Sequence, residues 1–289
     1  IPSGLDVPSN VIDIVVPKLP LRTVKRTLFY DARLRKRILH LEGELDLILI
    51  HNLPGLLSLG NFVKALKKKF RCPVIVDLHE FTPEVMLPSL TGKKWGQFLN
   101  EKCFFHPFLE MVDGAIVVSP FVKRYLESVR AFAGKPILVV PNFSHFPPIN
   151  PGIAKKDSGK IGIVGKIHEG FGSSVLNAFC EAALKNPKYS IHFVGSSKQN
   201  GKRAGLKQEF VEHPRVFFHG MLPYDEMMRF VSEMFFTFSL YSTWRKNNII
   251  ALPNKLFDSI TAGTPVVTSI QMKEMAHWVQ KMGVGLVID

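Results

Sequence analysis

Short, almost uninterrupted apolar runs rich in β-branched residues recur along this chain, separated by stretches of helical periodicity. The first five are "VIDIVV" (11–16), "LDLILI" (45–50), "PVIVDL" (73–78), "GAIVVS" (114–119) and "PILVVP" (136–141). Runs this short and continuously apolar read as strands of a sheet covered on both faces. Helical patterns over 22–40, 55–70, 95–111 and 120–130 lie between them. Regular β-α alternation predicts a doubly wound parallel sheet.

The rhythm breaks once. "PNFSHFPPINPGIAKKDSGK" (141–160) is rich in Pro, Gly, Ser and charge, and reads as an interdomain linker. Beyond it the alternation restarts with strands "KIGIVG" (160–165), "SIHFVG" (190–195), "VFFHG" (216–220), "FFTFSLY" (235–241), "PVVTS" (265–269) and a final "GLVID". Helices are predicted over 172–185, 223–233, 255–262 and 272–282. The expected fold class is therefore α/β, with two Rossmann-like doubly wound domains, 1–143 and 144–289, facing a cleft. In such sheets ligands bind outside the carboxyl ends of the strands, which is where candidate residues are sought.

The 289 residues suffice for two domains, and a hydrophobic fraction of 46% supports real cores. A net charge of +13 points to an anionic partner: a phosphorylated small molecule, a membrane surface or a nucleic acid. Three dispersed cysteines, without a CxxC pair, suggest neither a disulfide framework nor a zinc site, and fit a reducing, cytoplasmic setting. No apolar run approaches the roughly 20 residues that span a bilayer. No HExxH, EF-hand, Walker A or Gly-x-Ser-x-Gly pattern occurs, so no metal site is expected. The chain begins at Ile1 rather than Met, which suggests a trimmed sequence.

Three constellations stand at or near strand ends, and a fourth is a surface feature. In "IVGKIHEGFG" (163–172) a strand ends at Gly165 and Lys166 follows, a place where backbone and a point charge can approach phosphate; an ordinary tight turn is an equal reading. In "LPNKLFDSITAGTPVV" (252–267), Asn254 is a good N-cap after Pro253. The amides of Lys255 and Leu256 would then be free donors. A Lys at a helix N-terminus opposes the macrodipole, a mismatch an anion would resolve. Asp258, one turn on, is suited to sugar hydroxyls; a surface Lys and Asp on a capped helix is the plainer reading. His79 and Glu80 follow the strand "PVIVDL", and His51 ends "LDLILI". A histidine there serves as proton carrier or hydroxyl binder, or as a structural donor. Last, basic and aromatic residues mix in 21–40 (Arg22, Lys25, Arg26, Arg33, Arg35, Lys36, Arg37) and in 91–111 (Lys93, Lys94, Trp95). This suits an anionic membrane interface or a solvated basic helix face; no nucleic-acid-binding motif is present.

Taken in order, these segments resemble the retaining, nucleotide-sugar-using GT-B glycosyltransferases, the large family of glycogen-synthase-like and mannosyltransferase-like enzymes. "DSITAGTPVV" is similar to that family's "E-A-M-A-x-G-x-P-V-V", which puts Asp258 at the family Glu. "VIVDLHEFTPE" looks like its N-domain strand ending in a functional His, and "IVGKIHEGFG" like its phosphate-binding turn. The resemblance implies catalytic roles for His79, Lys166 and Asp258. It implies donor contacts at Gly165, Met221, Leu222, Asn248, Asn254, Lys255 and Leu256, and an acceptor side at His51 and Glu80. Asp258 would accept from the ribose hydroxyls, Lys166 would neutralise the diphosphate, and Met221–Leu222 would border the base.

Departures from the pattern are specific. Ile250 stands where the family often has a second Glu, with Asn247 and Asn248 nearby, and "HEGFG" lacks the second family cation. The family's opening Gly-rich loop has no counterpart before Val11, and its final helices would lie beyond "GLVID". The resulting expectation is a metal-independent hexosyltransferase without a cofactor. It would move a sugar from a UDP- or GDP-linked donor to a lipid-linked or glycan acceptor, in the cytoplasm with peripheral contact to an anionic membrane. A non-catalytic GT-B-like partner subunit and a nucleotide-sugar 2-epimerase are the alternatives.

Overall fold

The computed structural model describes residues 36, 40, 43–51, 59–80, 94–149, 158–165, 173–196, 198–199, 202–203, 205–241, 243 and 246–289. The expected strand at 11–16 lies outside these, as does the expected helix at 22–40 apart from Lys36 and His40.

The first unit is a four-stranded parallel sheet in the order β1-β2-β3-β4, formed by β1 (Ile48–His51), β2 (Val74–Leu78), β3 (Gly114–Val117) and β4 (Ile137–Val139). The connections are α1 (Leu59–Phe70), α2 (Lys94–Leu99) running through a π-helical turn (Asn100–Phe105) into α3 (His106–Met111), and α4 (Pro120–Ser128). Successive right-handed crossovers stepping in one direction place their helices on one face of the sheet. That face carries the core: Val63 from α1, Phe108 and Leu109 from α3, and Val122 and Leu126 from α4 pack on Val74, Val76, Leu78 and Val117. Among the described residues the opposite face is less covered than the apolar runs suggested, with Leu49 and Leu138 exposed. Ser119 starts α4 by accepting the Val122 amide, with Pro120 in the first helical position.

The second unit is a six-stranded parallel sheet in the order β12-β11-β10-β5-β6-β9. Its strands are β5 (Lys160–Val164), β6 (Ser190–Val194), β9 (Val216–Gly220), β10 (Phe236–Phe238), β11 (Val266–Ser269) and β12 (Gly285–Ile288). Its helices are α5 (Ser173–Leu184), α6 (Gln208–Val211), α7 (Tyr224–Ser232), α8 (Lys246–Ile250), α9 (Asn254–Thr261) and α10 (Lys273–Met282). A two-stranded hairpin joins β7 (Lys198–Gln199) to β8 (Lys202–Arg203). Counted along the sheet from β9, the order is the doubly wound 3-2-1-4-5-6, which reverses between β5 and β10. Both faces of β5 and β6 are covered. Ile161, Ile163, Ile191 and Phe193 pack with Leu176, Cys180 and Phe210 on one side, while Val164 meets Met228 and Val231 of α7 on the other.

The segment read as an interdomain linker is packed against the second unit over its described residues 141–149. The Phe143 ring lies edge-on to Phe257 at 4.9 Å, and the Ile149 amide donates to the Thr261 carbonyl at 2.9 Å. Its aromatic residues supply the apolar contacts that its Pro and Ser content concealed.

Candidate functional site

β1 and β2 run side by side in register, His51 opposite Asp77, so both side chains stand at the carboxyl end of the first sheet. His79 is two residues past Asp77, and two-residue spacing returns a side chain to the same face. His51 Nδ1 lies 2.6 Å and His79 Nε2 2.9 Å from the same oxygen, Asp77 Oδ2, and the two imidazole rings meet edge to face at 4.5 Å. Burial pushes the Asp77 carboxyl up, but the hydrogen bonds and charges of His79 and His51 outweigh it and hold it below its ordinary value. The Asp77 hydrogen bond in turn raises the His79 pKa. Glu80 is exposed beside them. Sequence reading found both histidines and missed Asp77; the signal was present in "VDLHE", where Asp and His sit at i and i+2.

The second sheet ends in a row of glycines. β5, β6 and β9 close at Gly165, Gly195 and Gly220, all with positive φ (106°, 125° and 73°). The Gly165 amide donates to the Val194 carbonyl at 2.8 Å and the Gly195 amide to the Gly220 carbonyl at 2.7 Å, which ties the three strand ends together. A Cβ on Gly195 would sit 2.2 Å from the Gly165 carbonyl oxygen. Among the described residues, one on Gly165 would meet nothing within 4 Å, so they leave its backbone uncovered at the reversal point of the sheet. Only Gly165 of this row was singled out in the sequence. Met221, 77% exposed, and the half-buried Leu222 follow directly from β9. Lys166 lies outside the described residues.

The helix in "LPNKLFDSITAGTPVV" begins one residue earlier than expected. Pro253, with extended backbone (φ −75°, ψ 149°), takes the capping position, Asn254 is the first helical residue, and no side chain caps the helix. The Leu256 amide is not free as expected: it donates to the Pro253 carbonyl at 3.0 Å, tightening the first turn. The Lys255 ammonium lies 4.2 Å from the centre of the Tyr241 ring, and burial pushes its pKa down to about 7.

Asp258 is only 7% exposed and already partnered. Tyr224, at the start of α7, donates to Asp258 Oδ1 at 2.6 Å. The Ser144 hydroxyl is 2.8 Å from the Tyr224 oxygen and accepts from the Phe146 amide at 3.2 Å. Tyr224 has one proton, committed to Asp258, so Ser144 donates to Tyr224. His145 stacks on the Tyr224 ring at 4.6 Å. Burial lifts the Asp258 carboxyl above its ordinary value, against the pull of Tyr224, Ser144 and His145. It pushes the Tyr224 hydroxyl up to about 12. Sequence reading missed Tyr224, Ser144 and His145, which come from segments that only tertiary packing joins.

α8 carries the half-buried Asn248 and the buried Ile250, and it packs against the first unit. Ile250, 2% exposed, sits in the core cluster with Val122, Leu126 and Phe105. The Lys246 ammonium lies over Tyr125 at 5.3 Å and Phe121 at 5.7 Å. Across the same junction Arg124 of α4 donates to buried Glu274 of α10 at 2.7 Å.

Residues 2–144 match the sequence family Glycosyltransferase Family 4. Among solved structures, a sucrose-phosphate synthase from Thermosynechococcus elongatus superposes with a TM-score of 0.64 at 19% identity, over 95% of this chain and 69% of that one. TarM gives 0.59 at 14% identity over 84% of this chain and 44% of its own. Anabaena HepE in complex with UDP-glucose gives 0.54 at 16% identity, over 83% and 63%. The fold is GT-B, that of the glycosyltransferases. This GT-B chain spans less than half the length of TarM and under two thirds of that of HepE. No curated protein sequence matches it. Among the described residues no helix is long and apolar enough to cross a membrane.

Proposed function

We propose that this chain provides the catalytic core of a glycosyltransferase. It moves a sugar from a UDP- or GDP-linked donor to a lipid-linked or glycan acceptor, with retention at the anomeric carbon and without a metal at the diphosphate. The observation that carries this reading is the bare glycine rim at the reversal point of the second sheet, the crevice where such sheets take nucleotides. The Family 4 match and the UDP-glucose held by the HepE structure support it.

In this reading Gly165 lets the diphosphate approach backbone, Lys166 and Lys255 offset its charge, and Met221 and Leu222 border the base. A carboxylate accepts up to about four hydrogen bonds, so Asp258 can hold Tyr224 and still receive ribose hydroxyls. Asn254 and Asn248 complete the donor side. His79, held by Asp77, faces the donor sugar, with His51 and Glu80 toward the acceptor. Exposed Trp95 and Phe98 on α2, in a chain of +13 charge, suit contact with an anionic membrane on its cytoplasmic face.

Release of UDP or GDP from a panel of nucleotide sugars is the assay. Turnover is expected to fall at least a hundredfold in Asp258→Ala and Lys166→Ala, since charge stabilisation of a leaving group carries catalysis of this kind. The reading fails if the full-length protein binds a donor and no acceptor, water included, yields free nucleotide.

A second reading, a non-catalytic GT-B subunit that binds or regulates an active transferase, is favoured by one observation: the family acid is replaced by Ile250, which is turned into the core of the first unit. Co-purification with another transferase, with no thermal shift from any nucleotide sugar, would select it.

A further inference from the structure

We propose that His51, Asp77 and His79 form a binding site for one divalent transition-metal ion, with zinc the best-suited occupant. One ring nitrogen of His51, one of His79 and a carboxylate oxygen of Asp77 all lie within 4.8 Å of one another, a grouping that the 26-position offset between His51 and Asp77 hides from any spacing rule. Two imidazoles and one carboxylate are a donor set that zinc and its neighbours in the first transition row accept, with further positions left open.

The geometry is close to what an ion needs. Ligands about 2.0–2.2 Å from a tetrahedral ion stand roughly 3.3–3.5 Å apart. The two His–Asp77 separations are 2.6 and 2.9 Å, so these pairs need to part by roughly 0.4–0.9 Å, a side-chain adjustment. The three side chains are also held before any ion arrives. β1 and β2 fix His51 opposite Asp77, and Asp77, with a side chain only 14% exposed, orients both rings. Without the ion, each ring donates the N–H of its Asp77-facing nitrogen to the Asp77 carboxylate. When the ion enters, that proton leaves, to the ring's other nitrogen by way of solvent or, from a doubly protonated ring, to solvent outright. The freed lone pair turns to the metal while Asp77 gives a carboxylate lone pair. No other proton moves and nothing is oxidised or reduced. His51, 55% exposed, forms the open side of the site and its entry path.

The site is independent of the glycosyl-transfer reading, because chelation requires only these side chains. Where that reading also holds, a bound ion takes His79 away from the donor sugar, and zinc inhibits.

The test uses the untagged full-length chain, stripped with chelator and titrated calorimetrically with Zn²⁺. Co²⁺ substitution is followed by its visible absorption. One ion per wild-type chain is expected, with at least tenfold weaker binding in His51→Ala and in Asp77→Asn. Because His51 is solvent-exposed, His51→Ala keeps the fold, and its far-ultraviolet circular dichroism checks this. Absence of zinc uptake by the wild-type chain overturns the proposal, as does uptake that both variants leave unchanged. Neither measurement needs a nucleotide sugar, so failure here and failure of the transferase reading are told apart.

Discussion

Ile250 shows how one residue can take part in a neighbouring core. At this position the family that the sequence resembles often has Glu, and the side chain instead fills the core of the first unit beside Val122 and Leu126. A buried, unpaired carboxylate there is costly. Ile250→Glu is therefore expected to lower stability by about 3 kcal/mol or more, read as a drop in thermal midpoint, and not to raise activity. His192 is the other sensitive position. Its Nε2 meets Ser190 at 2.9 Å and its Nδ1 meets His219 at 3.0 Å, with Lys160 and Glu233 the charged groups nearby. Burial first, then His219 and Lys160, push its pKa down to about 4. A histidine held neutral in the fold and ordinary when unfolded contributes fully above about pH 6.5 and loses that contribution as pH falls toward 4. Unfolding free energies from denaturant titration are expected to decline across that window by up to about 3 kcal/mol; a flat profile between pH 7 and 4.5 would refute this. Asp77 was legible in principle, since its spacing from His79 puts both on one face. The Asp258–Tyr224 contact was not, because 34 residues separate the pair and only the packing of α7 against α9 joins them.

At the level of elements, the strands were the most legible part of the chain. Buried parallel strands must be apolar on both faces, and the runs at 160–165 and 190–195 obeyed this. The helix starting at 254 was legible as a helix but not in its cap. Asn254 has the chemistry of a capping residue, yet Pro253 already supplies the extended backbone, which shifts the start by one. The small elements α6, α8 and the β7–β8 hairpin went unseen, being too short to show a period. The glycine rim gives a graded test of strand-end packing. Gly195→Ala drives a Cβ into the Gly165 carbonyl and imposes φ +125° on a non-glycine residue. It is expected to cost several kcal/mol or to abolish soluble expression. Gly165→Ala meets none of the described residues and bears the backbone strain, about 1–2 kcal/mol. Equal thermal midpoints for the two variants would contradict the packing described.

At the scale of the whole molecule, the two sheets meet through α4, α8 and α10. Glu274 is buried with Arg124 as its partner from the other unit. Arg124→Ala leaves that carboxylate unpaired and is expected to cost about 1–3 kcal/mol and to enlarge the radius of gyration in solution scattering, whereas Arg124→Lys retains part of the effect. Two doubly wound sheets were legible from the alternation of strands and helices, because crossover hand leaves few topologies open; GT-B itself came from the resemblance of segments such as "DSITAGTPVV" to that family. How α8 and the 141–149 segment bind the halves together was not legible, since those contacts run between units. The central claim is that the crevice at the second sheet's reversal point holds a nucleoside diphosphate, with Asp258 at its ribose. Calorimetric titration of the full-length protein with UDP and with GDP tests this most directly. One of the two is predicted to bind one per chain, and at least tenfold more weakly to a folded Asp258→Ala variant. Failure of both to bind, or equal affinity for the variant, would contradict it.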